Sequence, residues 1–134
     1  MGGRRAAERR LSLAGEPQSA GTARRAVGQL LVETGHESWR DAAELAVTEV
    51  VTNAVLHAQT RLDLSVWVDA AGVRVEVRDF SPSLPRPRRY APDATTGRGL
   101  ALVAGVTSAF GVEQLGDAGK VVWFCVDDGS AGRV

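Results

Sequence analysis

The hydrophobic pattern changes its period near residue 60, and this change restricts the chain to few fold classes. Before it, apolar residues recur at helical spacing in two segments, from Ala20 to about Gly35 and from about Ser38 to about Gln59. After it, apolar and polar residues alternate, as they do in strands that bury one face. Helices and strands are largely segregated along the chain, which predicts an α+β fold rather than a parallel doubly wound one.

The alternating segments predict the sheet. Two of them are separated only by residues 70–72 and are typical of an antiparallel hairpin. A short edge strand around Leu11 and Leu13 precedes the helices. We expect a two-layer α/β sandwich, with the helices on one face of a mixed, mostly antiparallel sheet. The predicted strands are residues 10–14, 62–69, 73–78, 107–115 and 120–127.

Composition excludes several function classes. The chain has 134 residues, enough for one domain. Its 16 Lys and Arg residues balance 16 Asp and Glu residues, so non-specific attraction to nucleic acid or to an anionic membrane is not expected. Cys125 is the single cysteine, which excludes an internal disulfide and a multi-cysteine zinc site. It lies among apolar residues and is expected in the core.

The two ends of the chain differ from its middle. Residues 1–9 are rich in arginine and predict a flexible arm, residues 10–127 form the single domain, and residues 128–134 are expected to fray. No run of about 18 apolar residues is present, so no membrane span is expected. The N-terminus lacks the apolar core of a signal peptide, which favours a cytoplasmic protein.

A polar stripe interrupts the apolar second helix. Glu49, Asn53 and His57 follow each other at spacing i, i+4, i+8 and therefore share one face. They are either solvent-facing residues of an amphipathic helix or the lining of a pocket for a cation or polar ligand. Spacing alone favours the first interpretation, because polar stripes on helices are common.

Two further signals follow the hairpin. Asp79 ends its second strand, where the chain enters a long proline-rich loop, and such loops are frequent ligand sites. Gly97 and Gly99 predict a glycine turn that opens a short helix ending near Gly105, and its N–H groups could face an anion. A turning aspartate and a structural glycine turn explain the same residues. The turn matches neither the P-loop nor the dinucleotide-binding fingerprint.

The order and spacing of these signals resemble one family. Residues 44–58 closely resemble the N box of the GHKL ATPase/kinase superfamily, residues 78–82 stand in the place of its G1 box, and residues 96–103 resemble its G2 box. The short chain and residues 119–124 are similar to the anti-sigma factor serine/threonine kinase branch of the SpoIIAB and RsbW type. The resemblance covers about residues 10–127.

The resemblance implies a Bergerat fold with ATP and Mg²⁺ as cofactors. Asn53 would coordinate the Mg²⁺ that bridges the phosphates, Glu49 would be the catalytic general base, and Asp79 would accept a hydrogen bond from the adenine amino group. A single protein ligand suffices for Mg²⁺, which retains water and phosphate oxygens. A metal, a base and oriented N–H donors are what phosphoryl transfer requires.

The resemblance also implies the phosphate contacts. Residues 80–96 would form the ATP lid, and His57 would add a phosphate or lid contact. The residues expected to wrap the phosphates are Gly97, Arg98, Gly99 and Leu100. Two positions depart from the family pattern. The G1 box, D-x-G-x-G in the superfamily, lacks both glycines here, and Val121 stands where relatives often place a threonine.

The implied function is that of an ATP-dependent kinase that phosphorylates a serine of an anti-anti-sigma (STAS-like) partner and sequesters a sigma factor. The altered G1 box keeps open a non-catalytic module that senses nucleotide or only sequesters a partner. A third interpretation, direct nucleic-acid binding by the N-terminal arginines and those at 86–89, conflicts with the neutral charge and the absence of interleaved aromatic residues. A homodimer is expected, with the edge strand at 10–14 as a candidate contact.

Overall fold

The computed structural model describes residues 6–82 and 94–131, and the side chains at 94–99 and 131 are outside that description. Five strands form one sheet in the order β1-β2-β3-β5-β4. The strands are β1 (Ala7–Leu13), β2 (Leu62–Asp69), β3 (Gly72–Asp79), β4 (Ala109–Gln114) and β5 (Lys120–Val126). The helices are α1 (Ser19–Glu33), α2 (Arg40–His57), α3 (Ala94–Val106) and α4 (Asp128–Ala131), with 3₁₀ turns at Glu37–Trp39 and Gly116–Ala118.

The predicted α+β sandwich is confirmed. Every strand pair in the described ranges is antiparallel, so the parallel component allowed by a mixed sheet is not observed there. The predicted hairpin pairs Leu62 with Asp79 and Asp69 with Gly72. Strand alternation explains the layering, because Leu64 and Val66 of β2 are buried and Ser65 between them is half-buried.

Helix α2 is the centre of the helical layer. It packs against α1, α3, β3 and β5. Small and β-branched apolar residues cover several of its sides, which lets both neighbouring helices and the sheet approach. Its buried residues are Ala42, Ala43, Ala46, Val47, Val50, Val51 and Ala54. Burial of one valine or leucine side chain contributes roughly 1.5–3 kcal/mol, so this helix anchors the core.

Some predicted boundaries are wrong. Ser38 does not cap α2, because the chain first makes a 3₁₀ turn that ends in the fully buried Trp39. Strand β1 begins at Ala7, so part of the expected flexible arm belongs to the sheet. Asp128–Ala131 form α4 instead of fraying, and Ser130 is buried against the domain.

The sheet face opposite to the core carries Trp67, Trp123 and Cys125, and we call it the outer face. Cys125 was expected in the core, but its side chain lies on this face and is half-buried. Arginines do interleave with aromatic rings here, since Arg10 lies over Trp67 and Arg74 over Trp123. Both arginines are also ion-paired with glutamates of their own strands, which offsets their charge. None of the helices in the described ranges is long and apolar enough to cross a membrane.

Candidate functional site

The polar stripe of α2 lies at an intermediate depth. Glu49 and Asn53 are half-buried, whereas His57, the last residue of the helix, is exposed. Val50 and Ala54, their neighbours along the helix, are buried in the core. Side chains that are neither sealed nor fully solvated suit the wall of a cleft. The helix that carries them packs against both α3 and β3, which carry the other predicted site residues.

Asp79 is a buried carboxylate at the end of β3. It is 2% exposed and points to the helical side of the sheet, as Val75 and Val77 do. Its Oδ1 accepts a hydrogen bond from the backbone N–H of Ser81 at 3.1 Å, and its Oδ2 lies 3.0 Å from Lys120 Nζ. A buried charge is tolerated only when it is paired in this way. Asp79 is therefore a fixed acceptor with both oxygens oriented by the protein.

Lys120 is a site residue that the sequence patterns did not predict. The residue is directly opposite Asp79 across the β3–β5 ladder, so both side chains emerge on the same face. The sequence contains one signal for it: of the sixteen Lys and Arg residues, Lys120 is the only lysine. Without the register between two distant strands, that signal could not be connected with Asp79.

Gly119 brings the two strands together. Its φ of 100° lies in a region that residues with a side chain rarely adopt. A Cβ at this position would overlap the carbonyl oxygen of Asp79 and lie 2.9 Å from the Cα of Phe80. The start of β5 therefore depends on glycine to approach the end of β3, and this close approach places Lys120 beside Asp79.

Phe80 fixes the segment that follows Asp79. Two guanidinium groups contact its ring, with Arg61 Cζ 4.2 Å and Arg78 Cζ 4.5 Å from the ring centre, and we call this pair the arginine clamp. Its backbone N–H donates to Thr60 Oγ1 at 3.1 Å. Arg78 also donates to the carbonyl oxygen of Ala118. The segment in the place of the G1 box is thus held by side chains where the superfamily pattern has glycines.

The predicted glycine turn is part of a helix. Helix α3 begins at Ala94, so Gly97, Gly99 and Leu100 lie inside it rather than ahead of it. The N–H groups without intrahelical partners are those of the N-cap residue and of the first three helical residues, so the free donors of α3 lie ahead of Gly97. The N–H groups of Gly97, Arg98, Gly99 and Leu100, the predicted phosphate contacts, are therefore inside the helix. The side chain of Arg98 and lid residues 83–93 lie outside the described residues.

The donor set limits how a metal could be held. Across residues 6–82 and 94–131, no group of three or more His, Cys, Asp or Glu side chains could bind a metal ion. An ion at this site would take most of its ligands from phosphate and water, as Mg²⁺ commonly does. The amide of Asn53 suits one position in such a shell. Its carbonyl oxygen is the type of ligand that Mg²⁺ accepts from a protein.

Comparisons with known proteins identify the type of domain. Residues 13–126 match the family model of the histidine kinase-like ATPase domain. The structure of the RsbU and RsbW domains of Rv1364c from Mycobacterium tuberculosis superposes with a TM-score of 0.67 at 20% identity, covering 90% of this chain and 32% of that one. The histidine kinase domain of the blue-light activated histidine kinase EL346 from Erythrobacter litoralis gives 0.58 at 18%, covering 88% and 68%. No curated protein sequence matches.

The family match over residues 13–126 covers most of the chain and shows the class of the domain, a histidine kinase-like ATPase. The chain belongs to the histidine kinase-like ATPase domain family of the GHKL superfamily. At identities of 18–20%, the two structures establish a shared fold. The chain spans about a third of the Rv1364c structure.

Proposed function

We propose that the protein is an ATP-dependent serine/threonine kinase of the anti-sigma factor type. The observation that carries the proposal is Asp79, a carboxylate 2% exposed on the helical side of the sheet, next to the helix that bears Glu49 and Asn53. A buried hydrogen-bond acceptor of this kind suits recognition of a nucleotide base better than binding of ions from solvent. Structural similarity to a protein that contains an RsbW domain supports the anti-sigma assignment.

Each site residue has a proposed role. Asp79 accepts a hydrogen bond from the adenine amino group, Asn53 provides a protein ligand for Mg²⁺, and Glu49 removes the proton from the attacking serine hydroxyl. When bound, Mg²⁺ neutralises charge on the transferred phosphoryl group. The side chain of Glu49 is half-buried, so part of it is exposed to solvent, which supports its proposed role as a base for an incoming hydroxyl. The proposed phosphate-binding region remains the start of α3 around Gly97, Arg98, Gly99 and Leu100, together with His57, with N–H donation from the turn ahead of Gly97.

The proposed partners are a sigma factor and a STAS-like anti-anti-sigma protein that supplies the serine. Such a regulator of transcription would act in the cytoplasm, where ATP and its partners are found. We also propose a homodimer through β1, which lies at the edge of the sheet and leaves one side of its backbone without a strand partner in the described residues.

Calorimetric titration with ATP and Mg²⁺ tests the nucleotide site. Asp79→Asn should lower ATP affinity at least about tenfold, because an amide cannot accept at both positions as the carboxylate does. Asp63→Asn is the matched control, since Asp63 lies on the outer face of β2 opposite Arg78 and should bind ATP as the wild type does. Equal affinity of Asp79→Asn and wild type would contradict the site.

The alternative function is a non-catalytic module that sequesters a partner. The clamp on Phe80 favours it, because a rigid segment after Asp79 leaves less freedom to enclose a nucleotide. Transfer of the γ-phosphate of labelled ATP to STAS-domain proteins of the same genome distinguishes the two. Phosphoserine on one of them supports the kinase, whereas tight partner binding with no transfer and no ATP requirement supports the alternative.

A further inference from the structure

The ion pair between Asp79 and Lys120 presents two kinds of hydrogen-bonding group at one place. Asp79 offers a carboxylate, and Lys120 Nζ, 3.0 Å from Oδ2, offers an ammonium. The ammonium carries three donors, of which the contact with Asp79 uses one. The Asp79 side chain is 3% exposed and that of Lys120 is 30% exposed, so the lysine is the accessible member of the pair.

Purines differ in what they present at position 6. Adenine has an amino group that donates, whereas guanine and hypoxanthine have a carbonyl oxygen that accepts. A carboxylate alone would reject the carbonyl, because two acceptors would face each other without a proton between them. An ammonium beside that carboxylate removes this obstacle, since it donates to the carbonyl while the carboxylate accepts from the ring N–H.

We propose that Lys120 reads the base together with Asp79, so that the site binds 6-oxopurine nucleoside triphosphates as well as ATP. This inference rests on the proposed function, because it requires the base to lie at Asp79. It assigns Lys120 a role in specificity that goes beyond neutralising a buried carboxylate. The pairing is built by the backbone, since Gly119 and the β3–β5 register bring the two residues together.

The choice of cation supports this role. Of the sixteen Lys and Arg residues in the sequence, fifteen are arginine, and Lys120 is the single lysine. Arginine would engage a carboxylate through a planar two-pronged contact that occupies both oxygens. Lysine is a compact donor on a flexible stem, so it can hold one carboxylate oxygen and still turn a second N–H towards a ligand.

Calorimetric titrations with ATP and with ITP, both with Mg²⁺, test the inference. ITP is the sharper probe because it carries the 6-oxo group without the additional amino group of GTP. The dissociation constants of wild type for the two nucleotides should agree within about tenfold. Lys120→Met should weaken ITP binding at least about tenfold more than ATP binding, because only the carbonyl then lacks its donor.

Two controls isolate the effect. Lys120→Arg retains the charge but engages both oxygens of Asp79, so its ratio of ITP to ATP affinity should fall below that of wild type. Arg74→Met removes a strand cation in a 2.9 Å ion pair on the outer face, and its ratio of ITP to ATP affinity should equal that of wild type. A ratio of affinities does not depend on the fraction of folded protein, so partial destabilisation of a variant leaves the test valid.

Amine labelling gives a second readout without catalysis. Because Lys120 is the only lysine, acetylation by an N-hydroxysuccinimide ester can be followed on one peptide by mass spectrometry. Saturating ATP and saturating ITP should both slow this acetylation. Three results would overturn the inference and leave the proposed function intact. The first is an acetylation rate that does not change when nucleotide is added. The others are a wild-type preference for ATP above about tenfold and an equal loss of ATP and ITP affinity in Lys120→Met. Absence of any nucleotide binding by wild type would instead overturn the proposed function, and the inference with it.

Discussion

Trp39 donates its indole N–H to Asp128 Oδ1 at 2.8 Å, which ties the start of α2 to the segment after the last strand. The two residues are 89 positions apart in sequence. Trp39 is fully buried, and its indole ring stacks on His36 with 4.2 Å between ring centres. The contact joins the helix that carries Glu49 and Asn53 to the C-terminal end of the fold.

Loss of this hydrogen bond should lower the free energy of unfolding. Asp128→Ala removes the carboxylate acceptor and leaves the buried indole N–H without it, which costs about 1–3 kcal/mol. Asp117→Ala, in the exposed 3₁₀ turn, should change the same quantity by less than about 0.5 kcal/mol. Urea denaturation followed by circular dichroism measures both. Equal stability of the two variants would show that the indole contact contributes nothing.

Two glycines should respond oppositely to alanine. Gly119→Ala forces a side chain into a φ of 100° and against the carbonyl oxygen of Asp79, so it should destabilise by more than about 2 kcal/mol. Gly105→Ala, inside α3 with no atom within 4 Å of the added Cβ, should stabilise by about 0.5–1 kcal/mol. Thermal unfolding measures both variants, and a Gly119→Ala variant as stable as the wild type would refute the geometry described at Gly119.

The arginine clamp on Phe80 should slow amide hydrogen exchange in the segment that follows Asp79. Phe80→Ala removes two cation–π contacts, each of about 0.5–1 kcal/mol at exposed sites. The backbone N–H of Ser81, which donates to Asp79, should then exchange faster with deuterium, while amides in the middle of β3 should keep their rates. Unchanged exchange at Ser81 would mean that Asp79 holds the segment without help from the ring.

Substitutions at Glu49 and at Asn53 should affect different quantities, the rate of phosphate transfer and the affinity for ATP. If the protein is a kinase, Glu49→Gln should retain ATP affinity and lower the rate of phosphate transfer by about 10²-fold or more, because only the base is lost. Asn53→Ala should weaken ATP binding in Mg²⁺ through loss of the amide ligand. Thr52→Ala, at an exposed neighbouring position, should resemble wild type in both assays. Transfer by Glu49→Gln at the wild-type rate would remove the base assignment.

The sequence predicted the elements that depend on local periodicity. The alternation in residues 62–69 and 73–78 identified the hairpin, and the structure confirms it within one residue at the turn and at the end of β3. The polar stripe on α2 followed from helical spacing, and in the structure Glu49 and Asn53 are half-buried whereas His57 is exposed. The start of α2 was mispredicted, because Ser38 has the chemistry of a cap while the burial of Trp39 decides the local backbone.

The sequence by itself determined the fold class and the polar residues of α2, because hydrophobic period and helical spacing are properties of neighbouring residues. Only the tertiary structure decided that Lys120 pairs with Asp79, that the side chain of Cys125 lies on the outer face and that Trp39 donates to Asp128. These facts depend on the register of strands and on contacts between segments about 40 to 90 positions apart. Such contacts are set by the packing of the whole domain, which no local pattern encodes.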